Sequence, residues 1–498
     1  MNDLILQLKP LSPVIAVFLG ALAAVLAGAW VKREQRSALP YIALATLGFA
    51  MVLQFNFWGG SGSRVLFHGA LHPDAFSSFL SAVLLLGAGL AVLVSVGYGR
   101  KMDIDHGEFY GLLLTSVGGM MLLTMARDFV TLFISIEITS IPVYAMTGLA
   151  RQRRRSAEGA MKYMILGAFS TAFLLFGVAL IYGITGTTSF TSSSFDPMIK
   201  PLFVTGIGLF MMGLLFKLGA APFHVWVPDA YEGAPAPVTA FMSVAVKAAA
   251  FGAFIRVLLL VFPDGEVSAI WWKLLWGVAL LTLILGNFIA IYQRNVKRML
   301  AYSGIAHSGY LLIGLAAQGA SLSGEAGVES IGVSGVSAIL FYLLVYTFMT
   351  AGAFAVVAIS ARDEDDLESL EDYAGLARRR PLVAASMGLF LVSMAGLPPF
   401  GGFMAKFFVF KSAIDTGSSS LVWLAVLGII TSMASLYYYL RVVIYMYFRE
   451  PVSERPPVEP AWGTHFALFL CAVAVLFLGI LPGKIYNLAA EGAKVFLS

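Results

Sequence analysis

Four ionisable side chains stand inside long apolar runs of this sequence, and their types and spacing suit the handling of protons. Glu137 lies in Thr131-Leu-Phe-Ile-Ser-Ile-Glu137-Ile-Thr-Ser-Ile-Pro142 and Lys217 in Leu214-Leu-Phe-Lys217. Lys247 lies in Ser243-Val-Ala-Val-Lys247-Ala-Ala-Ala-Phe251 and Lys406 in Phe403-Met-Ala-Lys406-Phe-Phe. A charge at the centre of a membrane helix costs roughly 2.5 to 3.5 kcal/mol on insertion scales, so each needs a partner, water or a task. Counting along helices, Glu137 falls about 12 Å, Lys217 about 21 Å and Lys247 about 14 Å into its apolar segment, all near mid-depth. Burial disfavours the charged form of both types, and approach of a carboxylate to an ammonium restores it. A Glu137 and Lys217 pair is therefore a switch: when the carboxylate is neutralised or withdraws, the lysine gives up its proton more readily. Lys247 accepts that proton through water, and Lys406 is the exit-side site. The alternative is a structural ion pair that only orients two helices.

Auxiliary groups flank this row. Lys162 sits at the entrance of the sixth apolar segment, and His307, within Tyr302-Ser-Gly-Ile-Ala-His307-Ser-Gly-Tyr310, is placed either to bridge the lysines or to pack. Tyr342 and Tyr346, one turn apart, offer hydroxyls to the same axis, and His224 follows a helix break. His68 and His72 have metal-pair spacing without an evident third ligand, so no metal site is expected. Pro142, five residues after Glu137, is expected to loosen its helix by freeing the carbonyl of Ile138.

The elements that position these groups are helices. Of 498 residues, 59% are apolar and 12% charged, about half the charge of a soluble domain; mean hydropathy is +0.85. The fold expected is an all-α polytopic membrane protein of about fourteen crossings. They begin near Ser12, Tyr41, Asp74, Glu108, Phe129, Gly159, Leu202, Val238, Ile270, Met299, Ile331, Pro381, Leu421 and Phe466. The first follows one lysine, Lys9, and precedes Lys32, Arg33 and Arg36, the reverse of a cleaved signal. Loops after odd-numbered crossings carry the basic clusters, among them Arg151, Arg153, Arg154 and Arg155, and Arg294, Lys297 and Arg298. By the positive-inside rule, both termini are expected on the non-cytoplasmic side. The single cysteine, Cys471, excludes a cysteine-held iron–sulfur cluster within the chain. A net charge of +4, in short inter-helix clusters, excludes nucleic acid as partner; the bilayer is the solvent.

Two segments read as broken helices: Phe216-Lys-Leu-Gly-Ala-Ala-Pro-Phe223 and Ala395-Gly-Leu-Pro-Pro-Phe-Gly-Gly402. Pro222 strips the carbonyl of Leu218 of its helical donor, and Pro398 and Pro399 do so for Met394 and Ala395. The breaks are five helices apart, which predicts two inverted five-helix repeats with a translocation site at the interruptions. The expected division is residues 1–107 (helices 1–3), 108–265 (helices 4–8), 266–450 (helices 9–13) and 451–498 (helix 14). The alternative is that glycine and proline are simply common in membrane helices.

The strings around these charges resemble the antiporter-like membrane subunits of respiratory complex I, NADH:quinone oxidoreductase, most closely the subunit N group. The resemblance rests on Phe216-Lys-Leu-Gly-Ala-Ala-Pro-Phe-His-Val-Trp-Val-Pro-Asp-Ala-Tyr-Glu-Gly-Ala-Pro-Ala-Pro-Val-Thr-Ala-Phe241, on Asn295-Val-Lys-Arg-Met-Leu-Ala-Tyr-Ser-Gly-Ile-Ala-His-Ser-Gly-Tyr310 and on Gly396-Leu-Pro-Pro-Phe-Gly-Gly-Phe-Met-Ala-Lys406. Met161-Lys-Tyr-Met-Ile-Leu-Gly-Ala-Phe169 and Tyr437-Tyr-Tyr-Leu-Arg-Val-Val443 add to it. It implies fourteen helices and a proton path through Glu137, Lys217, Lys247 and Lys406, with Lys162 at the start of helix 6. The M group usually carries glutamate where Lys406 stands, and the L group continues into a long amphipathic helix where this chain soon ends. The resemblance further implies no cofactor in this chain, with flavin, iron–sulfur clusters and quinone in partner subunits. The partners implied are the antiporter-like M subunit and the small K and J subunits, in an energy-transducing membrane such as the bacterial inner membrane. A subunit of a multi-subunit sodium(cation)/proton antiporter is the other functional reading, and a structural scaffold a third. The acidic run Asp363–Asp372 is expected to be a solvated face.

Overall fold

The computed structural model describes residues 7–58, 65–190, 200–263, 265–324, 334–360, 368–451 and 461–497. Arg64, Arg362, Arg455 and residues 363–367 of the acidic run lie outside them. Thirteen helices among the described residues are long and apolar enough to cross a membrane. In chain order the helices are α1 (Ser12–Trp30), α2 (Leu39–Asn56), α3 (Ala75–Lys101), α4 (Gly107–Met125), α5 (Phe129–Thr147) and α6 (Arg154–Thr185). The seventh crossing is α7 (Lys200–Leu218) followed by the short α8 (Trp226–Gly233). Then come α9 (Ala236–Val261), α10 (Gly265–Tyr292), α11 (Val296–Leu322) and α12 (Ser334–Ser360). The twelfth crossing is divided into α13 (Pro381–Ala395) and α14 (Gly401–Ile414); α15 (Ser419–Phe448) and α16 (Trp462–Ile480) complete the bundle. The fourteen expected segments are all present. An amphipathic helix, α17 (Gly483–Ala493), follows the last crossing and was not anticipated.

The core sits at α9, α11 and α12, each 94% buried over its apolar window, whereas α6 is 28% buried and faces outward. Hydropathy alone does not separate these, because α6 is as apolar as α12. A methyl group on Gly286 of α10 would stand 2.6 Å from the backbone of Ala306 on α11, and one on Gly335 of α12 would stand 2.3 Å from the carbonyl of Gly314. Close backbone approach through small residues is how helices associate in lipid, where apolar burial itself drives little.

The second five-helix unit repeats details of the first. At the start of α5, Asp128 caps the helix by accepting from Thr131 N, as Asn295 accepts from Arg298 N at the start of α11. Asp128 forms an isolated bridge with Ser189 beyond α6, and Asn295 forms the same bridge with Ser369 beyond α12. Phe129 N donates to Thr188 O and Val296 N donates to Glu368 O. Late in α9, Arg256 Nε donates to the carbonyl of Thr124 near the end of α4; late in α15, Arg441 donates to that of Ile291 near the end of α10. Both broken helices turn at a left-handed glycine, Gly219 (φ 65°) and Gly396 (φ 87°). Five crossings is an odd number, so the two units enter the membrane from opposite sides.

Candidate functional site

At each broken helix a freed carbonyl finds a donor. Leu218 O, which Pro222 leaves without its helical donor, accepts from Ser308 Oγ on α11 at 2.7 Å. Ala395 O, freed by Pro399, accepts from Lys406 Nζ at 3.0 Å. Inside the bilayer such backbone survives only where protein satisfies it, so each break is also a point where another helix is tied in. Pro142 lies within α5, which continues to Thr147.

Lys217 is buried at the end of α7, and its ammonium donates to Ser140 Oγ at 2.8 Å and to Tyr144 OH at 2.9 Å. These partners belong to the helix of Glu137, three and seven residues further on, so they share its face. The carboxylate itself is half-buried and makes no ion pair within 4.0 Å among the described residues. The expected direct Glu137 and Lys217 pair is thus replaced by hydroxyls one and two turns along the same face. Lys217 and Lys247 line one cavity of about 10 Å³, room for about one water. Lys247 follows a π-helical turn over Met242–Val246, a local widening often found at functional sites. It donates to Gly304 O, in the stretch of α11 that also carries His307, and stands 5.2 Å over the ring of Tyr346.

From Lys247 to Lys406 the connection is aromatic and hydroxylic. The buried ring of His307 lies 5.0 Å from that of Tyr346 and 5.8 Å from that of Tyr310. Its Nδ1 is 2.6 Å from Tyr342 OH and its Nε2 3.3 Å from Tyr439 OH, which also meets Ser303 Oγ. The ammonium of Lys406 sits 4.7 Å over the Tyr310 ring and donates to Ser432 Oγ at 2.7 Å. Lys406 also borders a lateral cleft of about 510 Å³ lined by Phe403, Phe407 and Met433. His307 and both tyrosines of α12 therefore join the row that the sequence suggested.

Lys162 is elsewhere, at the mouth of the bundle, where it pairs with Glu158 and Asp229, each at 2.8 Å. His224 is buried past the break with its Nδ1 unpartnered among the described residues. No cluster of three metal-ligating residues occurs among the described residues, and His72 faces Asp74.

Sequence reasoning missed three features. Arg256, deep in an apolar segment and only nine residues beyond Lys247, is 1% exposed and bonds Asp74 at 2.9 Å; the rule that singles out the lysines applies to it equally. Lys297, assigned to a basic loop cluster, is fully buried against Glu368. Asp229 takes the place in its repeat that Lys406 takes in the other, ten residues beyond the left-handed glycine; only the repeat register reveals that equivalence.

The family model for NADH:quinone oxidoreductase/Mrp antiporter membrane chains matches residues 126–434. NADH-quinone oxidoreductase subunit N of Trichlorobacter lovleyi is 41% identical, covering 98% of each chain. A chain of respiratory complex I from Thermus thermophilus superposes with a TM-score of 0.80 at 32% identity, covering 96% of this chain and 100% of that one. A chain of the Mrp complex from Dietzia sp. DQ12-45-1b shares the fold, with a TM-score of 0.82 at 22% identity, over 98% of each. With a matched core that holds both broken helices and a likeness running almost end to end, the chain belongs to the NADH:quinone oxidoreductase/Mrp antiporter membrane family, among the subunit N chains.

Proposed function

We propose that this chain carries protons across the membrane as a non-redox subunit of an NADH:quinone oxidoreductase, along Glu137, Lys217, Lys247, His307 and Lys406. The observation that carries the reading is the succession of ring and cation–ring contacts from Lys247 through Tyr346, His307 and Tyr310 to Lys406, with Lys217 sharing a one-water cavity at its near end. Each ammonium has hydroxyl or carbonyl acceptors and, among the described residues, no carboxylate within 4.0 Å, so a second charge nearby is not neutralised and repels the first. A proton arriving at one lysine therefore favours departure from the next. Moving one charge against 100 mV costs about 2.3 kcal/mol, and that energy enters from quinone reduction in partner subunits, which hold the flavin and iron–sulfur clusters.

In this reading the termini lie outside the cytoplasm of a bacterial inner membrane, with Lys162 and Asp229 at the cytoplasmic mouth. The flanking partners are the antiporter-like M subunit and the small K and J subunits. To test it, the C-terminally tagged chain is extracted from native membranes in mild detergent and its companions are identified while NADH:quinone electron transfer is assayed. Flavin and iron–sulfur companions with quinone-linked activity are expected. Membrane companions alone, with sodium-dependent proton flux and no donor, would transfer the chain to the antiporter branch of its family.

A further inference from the structure

The short helix α8 covers the cavity shared by Lys217 and Lys247: Trp226, Val227 and Tyr231 line it from that side, and Ile305 of α11 closes it from the other. At about 10 Å³ the space holds about one water. With α8 in place there is little room beside the two lysines for cytoplasmic water. Its counterpart in the other repeat, α14, flanks an apolar cleft of about 510 Å³ beside Lys406.

The inner face of α8 is packed, with Trp226 stacked on Tyr163 at 4.1 Å and its Nε1 donating to Phe216 O, and its outer face is gripped by charges. Asp229 Oδ1 accepts from Arg298 at 2.6 Å while its Oδ2 accepts from Lys162 at 2.8 Å. Glu232, one turn on, accepts from Arg298 at 2.7 Å through one oxygen and from Arg155 and Asn295, each at 3.3 Å, through the other. The cations come from α6 and its entry in the first repeat and from α11 in the second, so α8 is gripped from both units. Lys297 donates to Glu232 O and Ala234 O and ends the helix at its C-terminus. The Asp229 and Arg298 side chains are 29% and 28% exposed, wet enough for the grip to loosen with salt.

We propose that α8 is a latched lid: Asp229 and Glu232 hold it shut over the Lys217 and Lys247 cavity, and releasing them admits cytoplasmic water to both lysines. Asp229 and Glu232 are positioning residues here. The functional consequence rests on the proton path proposed above, whereas the lid itself does not.

Cys471, the only native cysteine of this chain, is fully buried, so labelling of this chain, read by mass spectrometry on the probe-bearing peptide, reports the probe. An Ile305→Cys probe is introduced into the assembled complex in inside-out vesicles and exposed to a membrane-impermeant cationic methanethiosulfonate. Added Asp229→Asn and Glu232→Gln should speed its labelling by about tenfold. Should that combination fail to assemble, Glu232→Gln alone and a salt titration of the otherwise unaltered probe chain give the same reading, each with faster labelling as the grip weakens. Labelling indifferent to salt and to neutralisation overturns the lid. Faster labelling with pumping untouched upholds the lid and refutes the proton path beneath it.

Discussion

Replacing Asp74 by Asn should be among the most damaging conservative changes in the chain. Asp74 and Arg256 are each 1% exposed as side chains and bond at 2.9 Å, with the guanidinium 5.2 Å over the ring of Phe76. Asn keeps the acceptor that caps α3 through Ser77 N, so the change removes the charge and little else. An arginine left buried without its counter-charge costs about 3 to 5 kcal/mol. Asp74→Ala removes the cap as well and should cost about 1 kcal/mol more. For comparison, Asp415→Asn, which breaks the exposed pair with Lys411, should cost no more than about 1 kcal/mol. Unfolding of the detergent-solubilised chain, followed by tryptophan fluorescence, measures all three, and Asp74→Asn combined with Arg256→Met should recover most of the loss. Equal costs for Asp74→Asn and Asp415→Asn, or additive effects in the double variant, would refute the reasoning.

Three further outcomes follow from particular contacts. Gly402→Ala should destabilise the break in the twelfth crossing, because its methyl would stand 1.9 Å from Ser393 O; loss of assembled complex on native gels reads this. Ser308→Ala orphans the Leu218 carbonyl at the other break and should cost about 1 to 3 kcal/mol in the same unfolding assay. The His72 and Asp74 cluster should weaken the fold in acid. Burial first, and then Arg256 and Arg127, hold the His72 pKa below 6.5 against the pull of Asp74. The unfolded chain therefore binds that proton first, and stability falls as pH drops below 6.5. Burial pushes the Asp74 carboxyl up, yet Arg256 and Ser77 outweigh it and hold it below 3.8, so its contribution persists above that value and is lost only as pH falls through the lower folded value. His72→Gln should flatten the unfolding midpoint between about pH 7 and 5 without touching the more acidic limb.

Much of the architecture was legible because membrane helices announce themselves by composition, and because prolines reveal which carbonyls need donors. Leu218 and Ala395 were named from Pro222 and Pro399 alone, and each has found one. Partners were less legible. Lys217 turns to Ser140 and Tyr144, hydroxyls on the helical face that also carries Glu137, and nothing in the spacing ranks one acceptor on that face above another. Nothing in the spacing singles out Asp229; its place on α8 follows from the turn at the left-handed Gly219, after which Trp226, Val227 and Tyr231 of α8 line the lysine cavity. Arg256 stood in plain view, but its partner is 182 residues away on α3, outside both repeats.

In the proposed path protons pass along the buried lysines while electrons flow elsewhere. The most direct measurement is the ratio of protons moved to NADH oxidised in proteoliposomes of the assembled complex carrying Lys217→Ala or Lys406→Ala. Electron transfer should persist in either variant while the ratio falls. A wild-type ratio in both would contradict the proton path.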